Sequence, residues 1–355
     1  MRIAILLPSL KKKGPVVLAF DLIKSLVNKV QKIDVFYFTE CSNPHFLDGL
    51  DNVNYIKLSF YKPFSFSDYD IVHSHSFKPD FFTFIFKSKI SCPVLTTVHN
   101  YVYEELLYTY NIFISAFFSR IWISTWSNKD LVVFLSENMR KYYEIKKFTN
   151  NSSIVIYNGR SVNKLESDND HNKIYNLINE TKKKYKIIGG CGFLNKRKGF
   201  EDIIKFLTLN QNLAAVFIGQ GPDENKLIND AKNLNVLDRC IFLGHLNNPI
   251  SIINLLDVYV MSSYSEGFPL VVLEAGSLGV PIICVNSPLF NELFSDSDVV
   301  FYERNNLISM EHALNQMFNN SQLYSKNIIN TINSKYSCKI MAEKYLQNYI
   351  LLNSN

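Results

Sequence analysis

DVYVMSSYSEGFPLVVLEAGSLGVPIICVN (Asp257–Asn286) sets a strand, a loop, a helix and a second strand in one unbroken run. DVYVMSS (Asp257–Ser263) and PIICVN (Pro281–Asn286) are short apolar runs, the pattern of strands buried on both faces. LVVLEAGSLG between them keeps helical spacing. Pro269 suits the first helical position, where its missing N–H costs nothing, and Gly279 and Pro281 suit a left-handed cap and a stop. Strand, helix, strand in this order is the crossover of a parallel sheet. Two carboxylates, Glu266 and Glu274, interrupt the otherwise apolar segment. A buried carboxylate without a partner costs several kcal/mol, so each needs one, from the fold or from a ligand.

The same alternation runs outward along the chain. Arg2–Pro8, Ile33–Thr39, Tyr69–His75, Pro93–Asn100, Leu131–Glu137 and Ser152–Gly159 read as buried strands, with Val16–Lys29 as a helix. Arg160–Lys184 is polar and reads as a linker. The series restarts at Tyr185–Gly192, with strands at Ala214–Gly221 and Cys240–Leu246 and helices at Phe200–Asn210 and Asp223–Asn235. The tail from Asn305 to Leu352 is helical in pattern. A chain of 355 residues suits two domains of about 100–200 each. The expected fold class is α/β, with two Rossmann-like doubly wound domains facing a central cleft.

Composition excludes several classes. Apolar residues make up 47% and charged residues 19%, as in a globular protein. Cys41, Cys92, Cys191, Cys240, Cys284 and Cys338 are scattered, without the spacing of a zinc site or disulfide framework. Reduced, buried thiols and a cytoplasmic setting are expected. The N-terminal apolar run is shorter than a signal-peptide core. Residues 106–126 are apolar over about the length of a membrane span, but Thr109, Asn111, Ser115, Ser119, Arg120, Ser124 and Thr125 interrupt them. That segment reads as a buried or half-buried helix. Residues 1–160 hold 19 Lys+Arg against 13 Asp+Glu, a net of +6 that suits an anionic membrane surface, an anionic acceptor or a merely solvated face. No nucleic-acid motif accompanies the charge.

Ligands of doubly wound sheets bind beyond the carboxyl ends of the strands. After Ser263, the helix start favours an anion such as phosphate. Glu274 can accept two hydrogen bonds from a vicinal diol such as a ribose, and Glu266 can meet another hydroxyl-bearing group. The plain alternative is Glu266 as a helix cap and Glu274 paired with a lysine. After Gly192, Lys196, Arg197 and Lys198 suit a diphosphate or a solvated charge run, and Gly199 allows close backbone approach. SLKKKGPVV (Ser9–Val17) is lysine-rich and lacks GxGxxG, which argues against a dinucleotide oxidoreductase. His73, His75 and His99 fall at strand ends, where a histidine can simply be a satisfied core residue. DND (Asp168–Asp170) and DSD (Asp296–Asp298) read as turns and not as a metal site.

Together GFLNKRKGFEDII, VFIGQGP, FLGHL and SEGFPLVVLEAGSLGVP resemble the retaining glycosyltransferases of family 4, with Glu266 and Glu274 as the E-x7-E pair. GPVVLAFDLIKSL, DIVHSHSFKPD, TTVHN and VIYNG take the places of weaker family motifs. The resemblance implies the GT-B fold: residues 1–160 as the acceptor domain, 161–340 as the nucleotide-sugar domain, and 341–355 as a helix returning toward the first. It implies that Glu274 holds the donor ribose, Glu266 contacts the transferred sugar, and Lys198 and Arg197 neutralise the diphosphate. The backbone at Gly267, Phe268, Pro269 and Gly192 would line the same group, His99 would lie near the donor sugar and acceptor, and Gly14 would let the first loop approach. No metal or other cofactor is implied. The partners are a nucleotide-sugar, UDP-linked ahead of GDP-linked, and a lipid-linked saccharide at an anionic inner membrane. The product would be an O-antigen or capsule carrying a further hexose or N-acetylhexosamine. A non-catalytic nucleotide-sugar-binding paralogue and a sugar-nucleotide epimerase of the same fold are the alternatives. Departures are Phe193 where many members carry arginine, Gly14-Pro15 for a Gly-Gly doublet, and no glycine before Glu292.

Overall fold

A computed structural model describes residues 1–11, 13–40, 50, 53–108, 110–146, 152–160, 162 and 172–354. Cys41 and the Asp168–Asp170 turn, within the expected linker, lie outside the described residues. The chain forms two units, Met1–Arg160 with Tyr336–Asn355, and Ser161–Lys335.

The first unit carries strands β1 (Arg2–Ser9), β2 (Lys32–Thr39), β3 (Val53–Lys57), β4 (Ile71–His75), β5 (Val94–Val98), β6 (Leu131–Phe134) and β7 (Ser153–Val155). They form a parallel sheet in the order β3-β2-β1-β4-β5-β6-β7. The second carries β8 (Lys186–Cys191), β9 (Leu213–Ile218), β10 (Cys240–Phe242), β11 (Val258–Met261), β12 (Ile282–Val285) and β13 (Val300–Tyr302). Its order is β10-β9-β8-β11-β12-β13, again parallel. Both are doubly wound α/β sheets, as the sequence predicts. Each reverses strand order once, between β1 and β4 and between β8 and β11; loops diverge there and leave a crevice for a ligand. Ile3–Leu7 of β1 and all of β9 are buried, because helices cover both faces. Two strands have no counterpart in the sequence reading. β3 is a part-exposed edge and β13 only three residues long, so neither makes a sustained apolar run.

Within residues 106–126 the helix is half-buried and shorter than the apolar run. One helix ends at Leu107, and Asn111 caps another, Ile112–Ser124, by accepting from the Ile114 amide at 3.0 Å. Ser115 and Ser119 are its buried residues, while Phe113, Phe117 and Phe118 are exposed. No helix among the described residues is long and apolar enough to cross a membrane. Near the helix's end the indoles of Trp122 and Trp126 donate to one carboxylate oxygen of buried Asp80, at 3.0 and 3.1 Å. Its other oxygen accepts from Ser74 and Thr96 at 2.7 and 2.6 Å.

The last helix, Cys338–Ser354, lays two buried tyrosines against β4 and β5 of the first unit. Tyr349 Oη is 2.7 Å from His73 Nδ1, His73 Nε2 is 2.8 Å from Thr97 Oγ1, and Thr97 Oγ1 is 2.8 Å from Tyr345 Oη. Burial, then the nearby His99, pulls the His73 pKa down to about 3. Burial, then His73 and His99, also holds His75 well below its ordinary value. Below pH 6.5 the unfolded chain takes up protons that the folded chain refuses, so stability is full above 6.5 and drains as pH falls toward 3. His73 alone should cost about 2 kcal/mol by about pH 5. Denaturant midpoints at pH 7.5 and 5 test this. That window lies above the range where carboxylates with lowered pKa contribute, so equal midpoints would rule out the buried neutral histidines.

Candidate functional site

The site of the second unit forms where the loops after β8 and β11 meet, at the switch point of the sheet. Past β8, Gly192 leads into a single 3-10 turn, Lys196–Lys198, that ends at Gly199 with φ +62. A Cβ at Gly199 would sit 2.1 Å from the Ser262 carbonyl oxygen, so glycine lets the two loops close on each other. Ser262 Oγ then donates to the Lys198 carbonyl at 2.9 Å, and the Tyr264 amide to the Arg197 carbonyl at 2.7 Å.

These backbone ties aim the cations at Glu266. Lys198 Nζ donates to Glu266 Oε1 at 2.6 Å and Ser263 Oγ to the same oxygen at 2.6 Å. Arg197 Nη1 donates to Glu266 Oε2 at 3.1 Å and to the Ser265 carbonyl at 2.7 Å. Glu266 is therefore partnered within the fold, by two of the three predicted cations. Burial raises its pKa, but Lys198 and Arg197 together outweigh that and hold it low, so it is ionised at neutral pH. Two cations thus stand against this one carboxylate, and both carry donors that an anionic ligand can meet.

Glu274 is buried on the helix Leu270–Ser277. Pro269 precedes that helix as its cap residue, with ψ 76, instead of opening it; the expected first helical position goes to Leu270. The far end is as expected. Gly279 takes φ +73, and the Gly279 and Val280 amides donate to Gly276 and Ala275, each at 3.0 Å. Burial pushes the Cys191 thiol up to about 12, with Glu274 adding to the effect and Lys198 opposing it. Burial first, then Cys191 and both glutamates, raises the Tyr259 hydroxyl, which lies 3.3 Å from the Cys191 amide nitrogen and carbonyl oxygen. Glu266, Glu274, Lys198, Cys191 and Tyr259 thus share one electrostatic patch. Gly192 joins it: a Cβ there would lie 3.2 Å from Lys198 Cε. Gly267 and Phe268 are buried between the two glutamates.

Sequence reasoning missed the brace behind this loop. Arg304 Nη1 donates to buried Asp202 at 2.6 Å, its other nitrogen donates to the Ser262 carbonyl, and its guanidinium lies 3.7 Å from the centre of the Tyr264 ring. Tyr302 and Lys205 complete Asp202 at 2.9 and 3.0 Å. The available signal was an aspartate in the first turn of an apolar helix, the same anomaly that marked the two glutamates. Asp298, of the Asp296–Asp298 piece, sits in a turn, as read, and accepts from Ser295 nearby and from Thr331 on the helix Ser321–Lys335.

Gly14 and His99 belong to the first unit. His99 follows β5, with Nε2 2.9 Å from His75 Nδ1. Gly14 is not in a loop but opens the helix Gly14–Leu26, and a Cβ there would meet nothing within 4 Å. Gly14→Ala should therefore leave stability unchanged or raise it by about 0.5–1 kcal/mol. A melting curve checks this.

Residues 174–334 match the family described as Glycosyl transferases group 1, and residues 42–164 match Glycosyltransferase Family 4. The O-antigen biosynthesis glycosyltransferase WclY of Escherichia coli is 30% identical over 347 residues, spanning 92% of this chain and 95% of its own. This chain belongs to glycosyltransferase family 4. Another E. coli member, the UDP-Gal:alpha-D-GlcNAc-diphosphoundecaprenol alpha-1,3-galactosyltransferase, is 28% identical, covering 89% of this chain and 83% of its own. Among solved structures, Anabaena HepE in complex with UDP and glucose matches the family 4 chain with a TM-score of 0.80, over 98% of this chain and 99% of that one, at 16% identity. That likeness speaks to the fold, which is GT-B. The β8–β11 patch is accordingly the candidate active site of a glycosyltransferase.

Proposed function

We propose that the chain transfers a hexose or N-acetylhexosamine, with retention, from a UDP-sugar to a lipid-linked saccharide in O-antigen biosynthesis. The reading rests chiefly on one observation: Lys198 and Arg197 converge on Glu266, eight residues before Glu274, at a sheet switch point. Glu274 takes the ribose hydroxyls. Lys198, Arg197 and the amides at the start of the helix Leu270–Ser277 meet the diphosphate. Glu266, held anionic by those cations, accepts a hydrogen bond from a hydroxyl of the transferred sugar.

As the anomeric bond lengthens, negative charge gathers on the leaving phosphate oxygen. The fixed cations stabilise it without reorganising. The acceptor hydroxyl attacks from the face the phosphate leaves, and the departing oxygen takes its proton, so the anomeric configuration is kept. Lys198 and Arg197 supply the positive charge, and full activity is expected in excess EDTA. The donor assignment is supported by UDP in the HepE complex and UDP-Gal in the name of one E. coli relative. The acceptor assignment is supported by the diphosphoundecaprenol of that name and the O-antigen role of WclY.

The test is a panel of UDP-, GDP- and dTDP-sugars with lipid-diphosphate saccharides, the product linkage being read by NMR. An axial-donor, axial-product result supports retention, whereas nucleotide binding without transfer would overturn the catalytic reading. Glu274→Ala should weaken UDP binding by one or two charged hydrogen bonds, about 1.5–3 kcal/mol, or roughly 10- to 100-fold. Calorimetry giving wild-type UDP affinity would remove Glu274 from the ribose.

A further inference from the structure

The helix Ile112–Ser124 is amphipathic the wrong way round for a helix of a water-facing protein. Its buried positions are Ser115 and Ser119, which turn their hydroxyls back onto the carbonyls of Asn111 and Ala116, at 2.8 and 3.1 Å. Its open positions are Phe113, 83% exposed, Phe117, 62%, and Ile112, 56%, with Phe118 and Ile114 beside them. Tyr108 and Tyr110, just before the helix, are also exposed. A surface helix normally shows the reverse pattern, and a contiguous exposed apolar patch marks an interaction site.

The patch extends beyond the helix. Trp122 meets Phe77 at 5.5 Å between ring centres, Phe77 meets Phe81 at 5.5 Å, Phe81 stacks on Phe60 at 6.1 Å, and Phe60 meets Tyr61 at 5.7 Å. Tyr61 is 90% exposed. Arg120 on the helix, Lys62 beside Tyr61 and Lys78 beside Phe77 are exposed cations. No Asp or Glu occurs between Leu106 and Asn128. Aromatic side chains flanked by tyrosines and cations, with no carboxylate on the helix itself, match the interface of an anionic bilayer: rings at the acyl boundary, positive charge at the headgroups. A helix this short lies in that interface and does not span it.

We propose that Ile112–Ser124, with Tyr61, inserts shallowly into an anionic lipid bilayer and docks the first unit on it. The choice of a bilayer over a second copy of the chain rests on the charge match and on the lipid-linked acceptor proposed above. This is a hydrophobic attachment, distinct from attraction by the basic face alone, because its main contributors are uncharged rings.

The experiment is flotation of the full chain with vesicles of phosphatidylethanolamine and phosphatidylglycerol. The comparison is between wild type and the triple variant Phe113→Ser, Phe117→Ser, Phe118→Ser, at low and at 1 M salt. Wild type should float at both salt concentrations, and the variant's partitioning should fall at least about tenfold. UDP affinity and melting temperature should stay at wild-type values, since the three rings are exposed. A Phe113→Trp variant should shift its emission to the blue on vesicles and be quenched by lipids brominated in the acyl chain. Equal flotation of wild type and triple variant, or complete loss of wild-type flotation in 1 M salt, would overturn the insertion. So would a dimer that the triple variant dissociates while vesicles go unbound. Because flotation requires no acceptor, its failure is separable from failure of the transfer assay.

Discussion

Lys198→Met should lower kcat about 10²- to 10³-fold at saturating donor, the loss typical when one preorganised oxyanion donor is removed. Met keeps the length of the stem that packs against Gly192 and removes only the ammonium. The folded state should tolerate this, because Glu266 keeps Arg197 and Ser263 as partners. The pair Lys198–Glu266 is coupled, so the change must be read in a double-mutant cycle with Glu266→Gln. If Lys198 acts only by holding Glu266, the double variant will be no worse than Glu266→Gln alone. If it acts on the leaving diphosphate, a further large loss will appear. Circular dichroism and the melting point keep misfolding apart from lost chemistry, and a wild-type kcat in a folded Lys198→Met enzyme would exclude the phosphate role.

The parts of this site that were legible in the sequence are those that reveal themselves locally. Glu266 and Glu274 stand out because a carboxylate is costly in an apolar run, and Lys196-Arg197-Lys198-Gly199 because cations and a glycine follow a strand. The alternating runs gave most strands for the same reason. What could not be read is what depends on distant partners. Arg304 meets Asp202 and Ser262 only after folding, 102 and 42 positions away. Which face of the helix Ile112–Ser124 lies open was not legible, because composition reports how apolar a segment is, not which side faces inward. Its serines read in the sequence as interruptions of an apolar run of membrane-span length, and in the fold Ser115 and Ser119 are the residues that pack inward. The pairing of Lys198 and Arg197 with Glu266 is likewise hidden in the sequence, since the partners lie 68 and 69 positions apart.

Asp80→Ala should cost about 3–5 kcal/mol of stability, the range found when one partner is removed from a buried charged network. The carboxylate is 1% exposed and accepts from Ser74, Thr96, Trp122 and Trp126. An alanine leaves all four donors facing a small void. The hydroxyls can turn to other acceptors, as Ser74 already approaches the Leu95 carbonyl at 3.3 Å. The indoles cannot, since they only donate. Asp80→Asn should therefore recover much of the loss, at a cost of about 1–2 kcal/mol. Its oxygen can serve the tryptophans, while its amide donates to the two hydroxyls, which are able to accept. Lys129 adds a pH signature. Burial lowers its pKa to about 8, against an opposing pull from Asp80, so removing that charge should drop it further. The chain has only two tryptophans, and both report on this carboxylate, so intrinsic fluorescence follows the network directly. An alanine variant no less stable than the asparagine variant, with unchanged tryptophan emission, would mean that the carboxylate does not hold the helix. If the network is as described, the alanine variant should also float poorly with vesicles, because the same two indoles fix the end of the helix whose phenylalanines face outward.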